Sequence, residues 1–206
     1  MLPPGTVVDP TAWDKYWHTQ LTIGMAGFVH MFVDDGQLVD VMRANGLRTV
    51  LCVGNGISQE PKALAWAGFD VTAPDLPPLA IEVARDGEPP DEMLAGLVGG
   101  RSAGQNGRVQ FVVGDLMNPH VCSGPYDVVI ERKTLQLFPP ESQAEAIRTV
   151  AARVANPGIL YSHSHRANMN DWTPPVAAWL DAEGWPRART LPTLSQRAGW
   201  LFSSSG

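Results

Sequence analysis

Short apolar runs alternate with segments of helical pattern along most of the chain, and that alternation constrains the fold more than any other feature. Arg48 to Val53, RTVLCV, is continuously apolar, as a strand covered on both faces requires. Phe69 to Ala73, Val109 to Val113, Tyr126 to Ile130 and Ile159 to Ser162 have the same character. Between them, Glu60 to Ala67 stops at Gly68, a helix-ending glycine, and Pro78 to Arg85 reads as helix. A capping box, Ser142-x-x-Glu145, opens a helix after Pro139-Pro140. Its core face would be Ile147, Val150, Ala151 and Val154, and Asn156-Pro157-Gly158 would end it. Pro175 to Glu183 reads as one more helix, closed by Gly184. Strands joined through helices run parallel. Arg187 to Leu191 and Gly199 to Ser203 are separated by only seven residues, too few for a crossover helix, so they are expected to pair as an antiparallel hairpin.

The length of 206 residues fits one domain, with residues 1–45 as an N-terminal helical cap and 46–206 as the core. A chain that is 44% hydrophobic and 17% charged can bury a core and is not disordered. A net charge of −6 with no block of like charge disfavours a grip on nucleic-acid backbones. The longest apolar stretch, Leu21 to Val33, is broken by Gly24, Gly27 and His30 and is shorter than the ~20 residues of a membrane span. No basic segment followed by an apolar core opens the chain, and Cys52 and Cys122 are the only cysteines, so the cytoplasm is the expected compartment. Asp86 to Gly107, with six glycines and two prolines, reads as a surface excursion in which only Met93 to Val98 is helical.

In a parallel sheet, ligands sit outside the carboxyl ends of the strands. Four places there carry chemistry. Gly54-Asn55-Gly56-Ile57-Ser58 follows the first strand, and its glycines let backbone approach a ligand closely. A dinucleotide loop would continue to a third glycine where Gln59 stands, and no Gly-Lys-Ser/Thr phosphate cradle exists. Asp75, with Leu76, follows the second strand 21 residues beyond Gly54, where an acid can accept from both hydroxyls of a ribose. Gly114-Asp115-Leu116 follows the third strand, where a carboxylate and a backbone amide can read an adenine edge. Glu131-Arg132-Lys133-Thr134 follows the fourth. Each place also has a plain reading as a tight turn, a capping acid or a solvated strand end.

The series VLCVGNG, VTAPDL, VVGDL and YDVVIERKTL, in this order and spacing, resembles the class I S-adenosylmethionine-dependent methyltransferases from about Val50 to the C-terminus. The resemblance implies an α/β, Rossmann-like, mostly parallel seven-stranded sheet with one antiparallel terminal hairpin and helices on both faces. It implies S-adenosylmethionine as cofactor, its methionine part lined by Gly54, Asn55 and Gly56, its ribose held at Asp75 and Leu76, and its adenine at Asp115 and Leu116. Trp13-Asp14-x-x-Trp17, Glu131-Arg132 and Leu137-Phe138-Pro139-Pro140-Glu141 are similar to thiopurine-methyltransferase-like enzymes, which methylate small molecules. On that likeness Trp13 and Trp17 would cover the cofactor, Glu131 would favour its positive charge and assist catalysis, and Arg132 would meet a small-molecule acceptor. Trp13, Tyr16 and Trp17 also suit the anchoring of an N-terminal helix.

The chain departs from the family at Cys52, where an acid is usual, and at Ser58, often glycine. Lower cofactor affinity is the expected consequence. Ser58 is a good helix cap, and Glu60 or Glu131 could supply the charge Cys52 lacks. His163 and His165, after the fifth strand, read either as a base for the acceptor or as polar strand-end residues, whereas His18 and His30 read as packing or surface residues. No metal-ligand spacing is present. Neither the Asn- or Asp-Pro-Pro-aromatic motif of amino-directed DNA methylation nor a nucleophilic Pro-Cys follows the fourth strand. The expected function is methyl transfer to a small-molecule S, N or O acceptor. Protein lysine or N-terminal amine methylation and cofactor binding without turnover are the alternatives. Oligomeric state is not legible.

Overall fold

The structure, a computed structural model, describes residues 9–23, 37–98, 107–163, 187–192 and 198–204. Helix α1 spans Pro10–Thr22 and α2 spans Gln37–Ala44, ahead of β1, Thr49–Val53. Then follow α3 (Glu60–Trp66), β2 (Asp70–Asp75), α4 (Pro78–Asp86), α5 (Asp91–Val98), β3 (Val109–Val113) and β4 (Tyr126–Arg132). A single 3-10 turn at Leu135–Leu137, helix α6 (Pro140–Ala151), β5 (Val154–His163), β6 (Arg187–Pro192) and β7 (Ala198–Ser204) complete the order. The expected helix over Pro175 to Glu183 lies outside the described residues.

All seven strands belong to one sheet, in the order β3-β2-β1-β4-β5-β7-β6. The five strands from β3 to β5 are parallel, and β7 pairs antiparallel with both β5 and β6. The period of two along β1 divides its side chains between two cores. Val50 and Cys52 join Leu38, Met42, Ala63, Leu64 and Met93 from α2, α3 and α5. Leu51 and Val53 join Ala146, Ile147 and Val150 from α6 on the opposite face. Burying each of the Val, Leu, Ile and Met side chains among them contributes about 1.5–3 kcal/mol. None of the described helices is long and apolar enough to cross a membrane.

Chain direction reverses its progress across the sheet between β1 and β4. From β1 the chain steps outward to β2 and β3, and from β4 it steps the other way to β5. The crevice outside the carboxyl ends of β1 and β4 is therefore the topological switch point, the place where such sheets take ligands.

Ser142 does not cap α6: the helix begins at Pro140, with Pro139 as N-cap residue, and the Ser142 hydroxyl donates to the Pro139 carbonyl at 3.2 Å. Proline suits the first helical position because its fixed φ is already helical and its missing N–H is not needed there. Asn156-Pro157-Gly158 does not end the helix either. The helix stops at Ala151, and β5 already begins at Val154, opposite Tyr126. Val154 still packs against the α6 core, which is why it fits the helical pattern. Helix α5 also starts earlier than expected, at Asp91.

Candidate functional site

The turn after β1 is tight because both its glycines are left-handed, with φ of +60° at Gly54 and +57° at Gly56. An L-residue there would cost about 1–2 kcal/mol in backbone sterics alone. Space forbids a side chain as well: a Cβ on Gly54 would lie 2.1 Å from Thr134 Oγ1, and one on Gly56 would lie 2.8 Å from the Trp17 ring. Asn55 braces the turn, its side-chain amide donating to the carbonyls of Gly56 and Ser58, both at 3.1 Å. Ser58 Oγ accepts from the Glu60 amide at 3.1 Å, but the N-cap residue of α3 is Gln59, so Ser58 stands one residue ahead of the cap expected of it.

Asp75, the last residue of β2, reaches across to this turn. One carboxylate oxygen accepts from the Gly56 amide in a short hydrogen bond, and the other accepts from Leu76 N at 2.7 Å. Desolvation pushes its pKa up to about 6, opposed by those two amides. A carboxylate has about four lone-pair sites, so two remain for further donors. After β3, Asp115 accepts from Met117 N at 2.8 Å and turns the chain. The same loop is tied down by Arg153, whose guanidinium donates to the carbonyls of Leu116 (2.7 Å), Asn118, Val121 and Cys122 (3.1 Å each). Arg153 is only 3% exposed, and sequence reading missed it because nothing around it has a motif.

Glu131 and Arg132 stand elsewhere than expected. Strand β4 runs two residues further than its apolar core, so the two side chains leave on opposite faces of the sheet. Glu131 is sealed from solvent on the α6 side. Its Oε1 accepts from the amides of Thr134 (2.8 Å) and Leu135 (3.0 Å), and its Oε2 accepts from Ser162 Oγ at 2.7 Å. Burial raises its pKa, and those three donors lower it. So enclosed, the Glu131 carboxylate holds the turn after β4 together. Arg132 turns to the α3 side and pairs with Glu60 in a fork, Nη2 to Oε1 at 2.6 Å and Nε to Oε2 at 2.8 Å, with both side chains 7% exposed. Its guanidinium carbon lies 4.9 Å from the centre of the Tyr161 ring. It is a buried cation whose fork is engaged by Glu60.

The same geometry bears on Cys52. Its pKa is raised well above the thiol range by burial and by the Glu60 charge, so a neutral thiol occupies the place of the usual acid. Glu60 does not restore a free negative charge, because Arg132 neutralises it. Glu131 does not either, because its oxygens are held by three donors.

Helix α1 lies against the glycine turn. Asp9 caps it, accepting from the amides of Thr11 and Ala12. Trp17 packs with Ile57 and Ala80, and Asp14 accepts from Leu79 N at the start of α4 at 3.1 Å. Trp13, Tyr16 and Trp17 form two edge-to-face pairs with ring centres 5.4 and 5.1 Å apart. Gly54, Asn55, Gly56, Asp75 and Trp17 are thus brought together, with Trp13 one ring further along α1.

His163 ends β5 with its backbone opposite Arg132, at the ligand edge of the sheet. His18 is exposed on α1, and His30 and His165 lie outside the described residues. Among the described residues no three His, Cys, Asp or Glu side chains are grouped to hold a metal. The residues that sequence reading missed are Thr134, Ser162 and Arg153. A longer β4 with alternating sides was the available signal for the first two.

No family model matches the chain. No curated protein matches its sequence. Solved structures do match its fold. A TehB-like SAM-dependent methyltransferase from Corynebacterium glutamicum aligns with a TM-score of 0.61 at 14% identity, covering 96% of this chain and 98% of that one. The 1,6-didemethyltoxoflavin-N1-methyltransferase of Burkholderia thailandensis, with its substrate and S-adenosylhomocysteine bound, aligns at 0.62 and 15% identity, covering 100% and 93%. Magnesium protoporphyrin IX methyltransferase from Synechocystis, with SAM bound, aligns at 0.54 and 20% identity, covering 95% and 83%.

Proposed function

We propose that this chain, whose fold is shared by S-adenosylmethionine-dependent methyltransferases, is itself one and transfers a methyl group to a small-molecule S, N or O acceptor. The observation that carries the reading is the meeting of the Gly54-Asn55-Gly56 turn with Asp75 at the switch point of the sheet. An acid with two free lone-pair sites suits a ribose, and the left-handed glycine turn beside it is held in place by Thr134 and Trp17. Nothing there cradles a phosphate, and the cofactor has none.

Gly54, Asn55 and Gly56 would line the methionine part, Asp75 and Leu76 the ribose, and Asp115 and Leu116 the adenine, with Trp13 and Trp17 closing over it. When bound, S-adenosylmethionine supplies a methyl group on a sulfonium sulfur, open to displacement in line by an acceptor. The protein's part is placement: holding two reactants in attack geometry can supply about 7–11 kcal/mol of the barrier. The rigid turn, held by Thr134 on one side and Trp17 on the other, suits that role. A thiolate acceptor needs no base. For an amine or hydroxyl, His163 at the end of β5 is the candidate to take the proton. The solved neighbours include an N-methyltransferase acting on a toxoflavin precursor, which fits a small-molecule acceptor.

A second reading, cofactor binding without turnover, is favoured by the neutral Cys52 thiol. Isothermal titration with S-adenosylmethionine, followed by methyl transfer to a panel of small thiols, amines and phenols, tests both. Binding with transfer supports the enzyme, binding without transfer to any of the panel supports the second reading, and no binding removes both.

A further inference from the structure

Between the glycine turn and the turn after β4 lies a contact that none of the expected site residues explains. Thr134 Oγ1 is placed to donate to the carbonyl of Val53 at 3.1 Å or of Gly54 at 3.4 Å. Its hydroxyl and methyl fill the space a Cβ on Gly54 would need, at 2.1 and 2.6 Å. Thr134 is itself held from behind, its amide donating to Glu131 Oε1 at 2.8 Å, while Ser162 of β5 donates to the other oxygen of that carboxylate. Lys133, just before it, has a left-handed φ of +63°, which a non-glycine residue adopts only where its surroundings hold it. The amides of the two residues that follow it, Thr134 and Leu135, both donate to Glu131 Oε1.

We propose that Thr134 is a positioning residue that locks the glycine turn to the turn after β4, with Glu131 and Ser162 setting where that lock sits. The chain Ser162, Glu131, Thr134, Gly54 connects three adjacent strands, β5, β4 and β1, across the switch point. Its effect is local. It acts first on Gly54 and reaches the β2 end only through the turn's own ties, Asn55 N to the Pro74 carbonyl at 3.3 Å and Gly56 N to Asp75. The inference rests on the reading above only in assigning the glycine turn to the cofactor's methionine part.

The test uses Thr134→Val, which keeps the shape and removes the donor, and Thr134→Ser, which keeps the donor. Amide hydrogen exchange is followed in the ligand-free full chain at Asn55 and Gly56, and binding of S-adenosylhomocysteine and of adenosine is titrated. Thr134→Val is expected to speed exchange at both amides and to weaken S-adenosylhomocysteine by about two- to ten-fold, the range of one lost hydrogen bond. Adenosine, which lacks the amino-acid part, should be weakened less than S-adenosylhomocysteine, and Thr134→Ser should match the parent. Should Thr134→Val not fold, Thr134→Ala carries the same expectations. Unchanged exchange, equal loss of both ligands, or a serine variant as impaired as the valine one would overturn the lock. If the parent chain binds neither ligand, the proposed function fails, and the exchange comparison still decides the role of Thr134.

Discussion

Trp17 lies against Gly56 so closely that a single methyl group on the glycine would come within 2.8 Å of the indole ring. The contact joins the N-terminal helix to the turn on which the site is built, and Asp14 adds a second tie to α4. Gly56→Ala should therefore both strain the turn and push α1 away. Trp17→Ala should remove a ring that is 8% exposed, with a loss of about 3 kcal/mol of stability. Hydrogen exchange along Pro10–Thr22, with and without S-adenosylhomocysteine, separates a lid from a fixed helix. If Trp13 and Trp17 close over the cofactor, protection of α1 rises on binding; equal protection in both states leaves Trp17 as an anchor only.

Asp75 gives cofactor binding a pH dependence whose sign is fixed by its raised pKa of about 6. Ribose hydroxyls donate to the ionised carboxylate, so binding favours loss of the proton. Affinity should be flat above about pH 7 and fall below about pH 6, approaching ten-fold per pH unit, with proton release on binding growing from none above about pH 7 toward one as the slope steepens. Titration in buffers of different ionisation heat measures that release. The linkage in the free protein runs the other way. A carboxylate with a raised folded pKa contributes most stability below about pH 4 and loses it as the pH rises through about 6. Asp75→Asn should abolish the pH dependence of affinity.

Glu60 and Arg132 should tolerate joint replacement better than single replacement. Both charges are desolvated and face each other in a fork. Glu60→Ala removes the carboxylate that faces a buried guanidinium and is expected to cost about 3–5 kcal/mol, whereas Glu60→Leu with Arg132→Met should be near neutral. Urea unfolding of the two singles and the double measures the coupling.

Glu131→Gln should be mild and Glu131→Ala severe. Glutamine can turn its oxygen to the Thr134 and Leu135 amides and its NH2 to Ser162 Oγ, keeping the turn with a loss of about 1 kcal/mol. Alanine orphans all three donors and should cost about 2–4 kcal/mol. Because the carboxylate is sealed from the crevice, Glu131→Gln should change S-adenosylmethionine and S-adenosylhomocysteine affinities equally. A selective loss of the sulfonium ligand would return Glu131 to the cofactor's charge.

Much of the fold is legible in the sequence because the apolar runs and glycine-ended helices obey simple periods. Val109–Val113 is a strand with the bounds expected of it, and Gly68 follows α3 with a positive φ of 102°. The errors have local causes. Ser142 looks like a cap, yet the proline before it starts the helix. At Glu131 and Arg132 charge was read as the end of β4, whereas the strand continues and its period of two sends one side chain to Ser162 and the other to Glu60. The glycine turn and Asp75 were legible because their chemistry is local. Thr134 was not, since its importance comes from a neighbour 80 residues away in the chain.

The central claim is that the crevice at the ends of β1, β2 and β4 holds S-adenosylmethionine, and calorimetric titration tests it most directly. Titrating the full chain with S-adenosylmethionine, S-adenosylhomocysteine and a nicotinamide dinucleotide should give one site for each of the first two and none for the third. Asp75→Ala should weaken both ligands by about ten-fold or more, since hydrogen bonds to a charged acceptor are worth about 1.5–3 kcal/mol each. Binding of the dinucleotide in their place, or affinities that Asp75→Ala leaves unchanged, would contradict it.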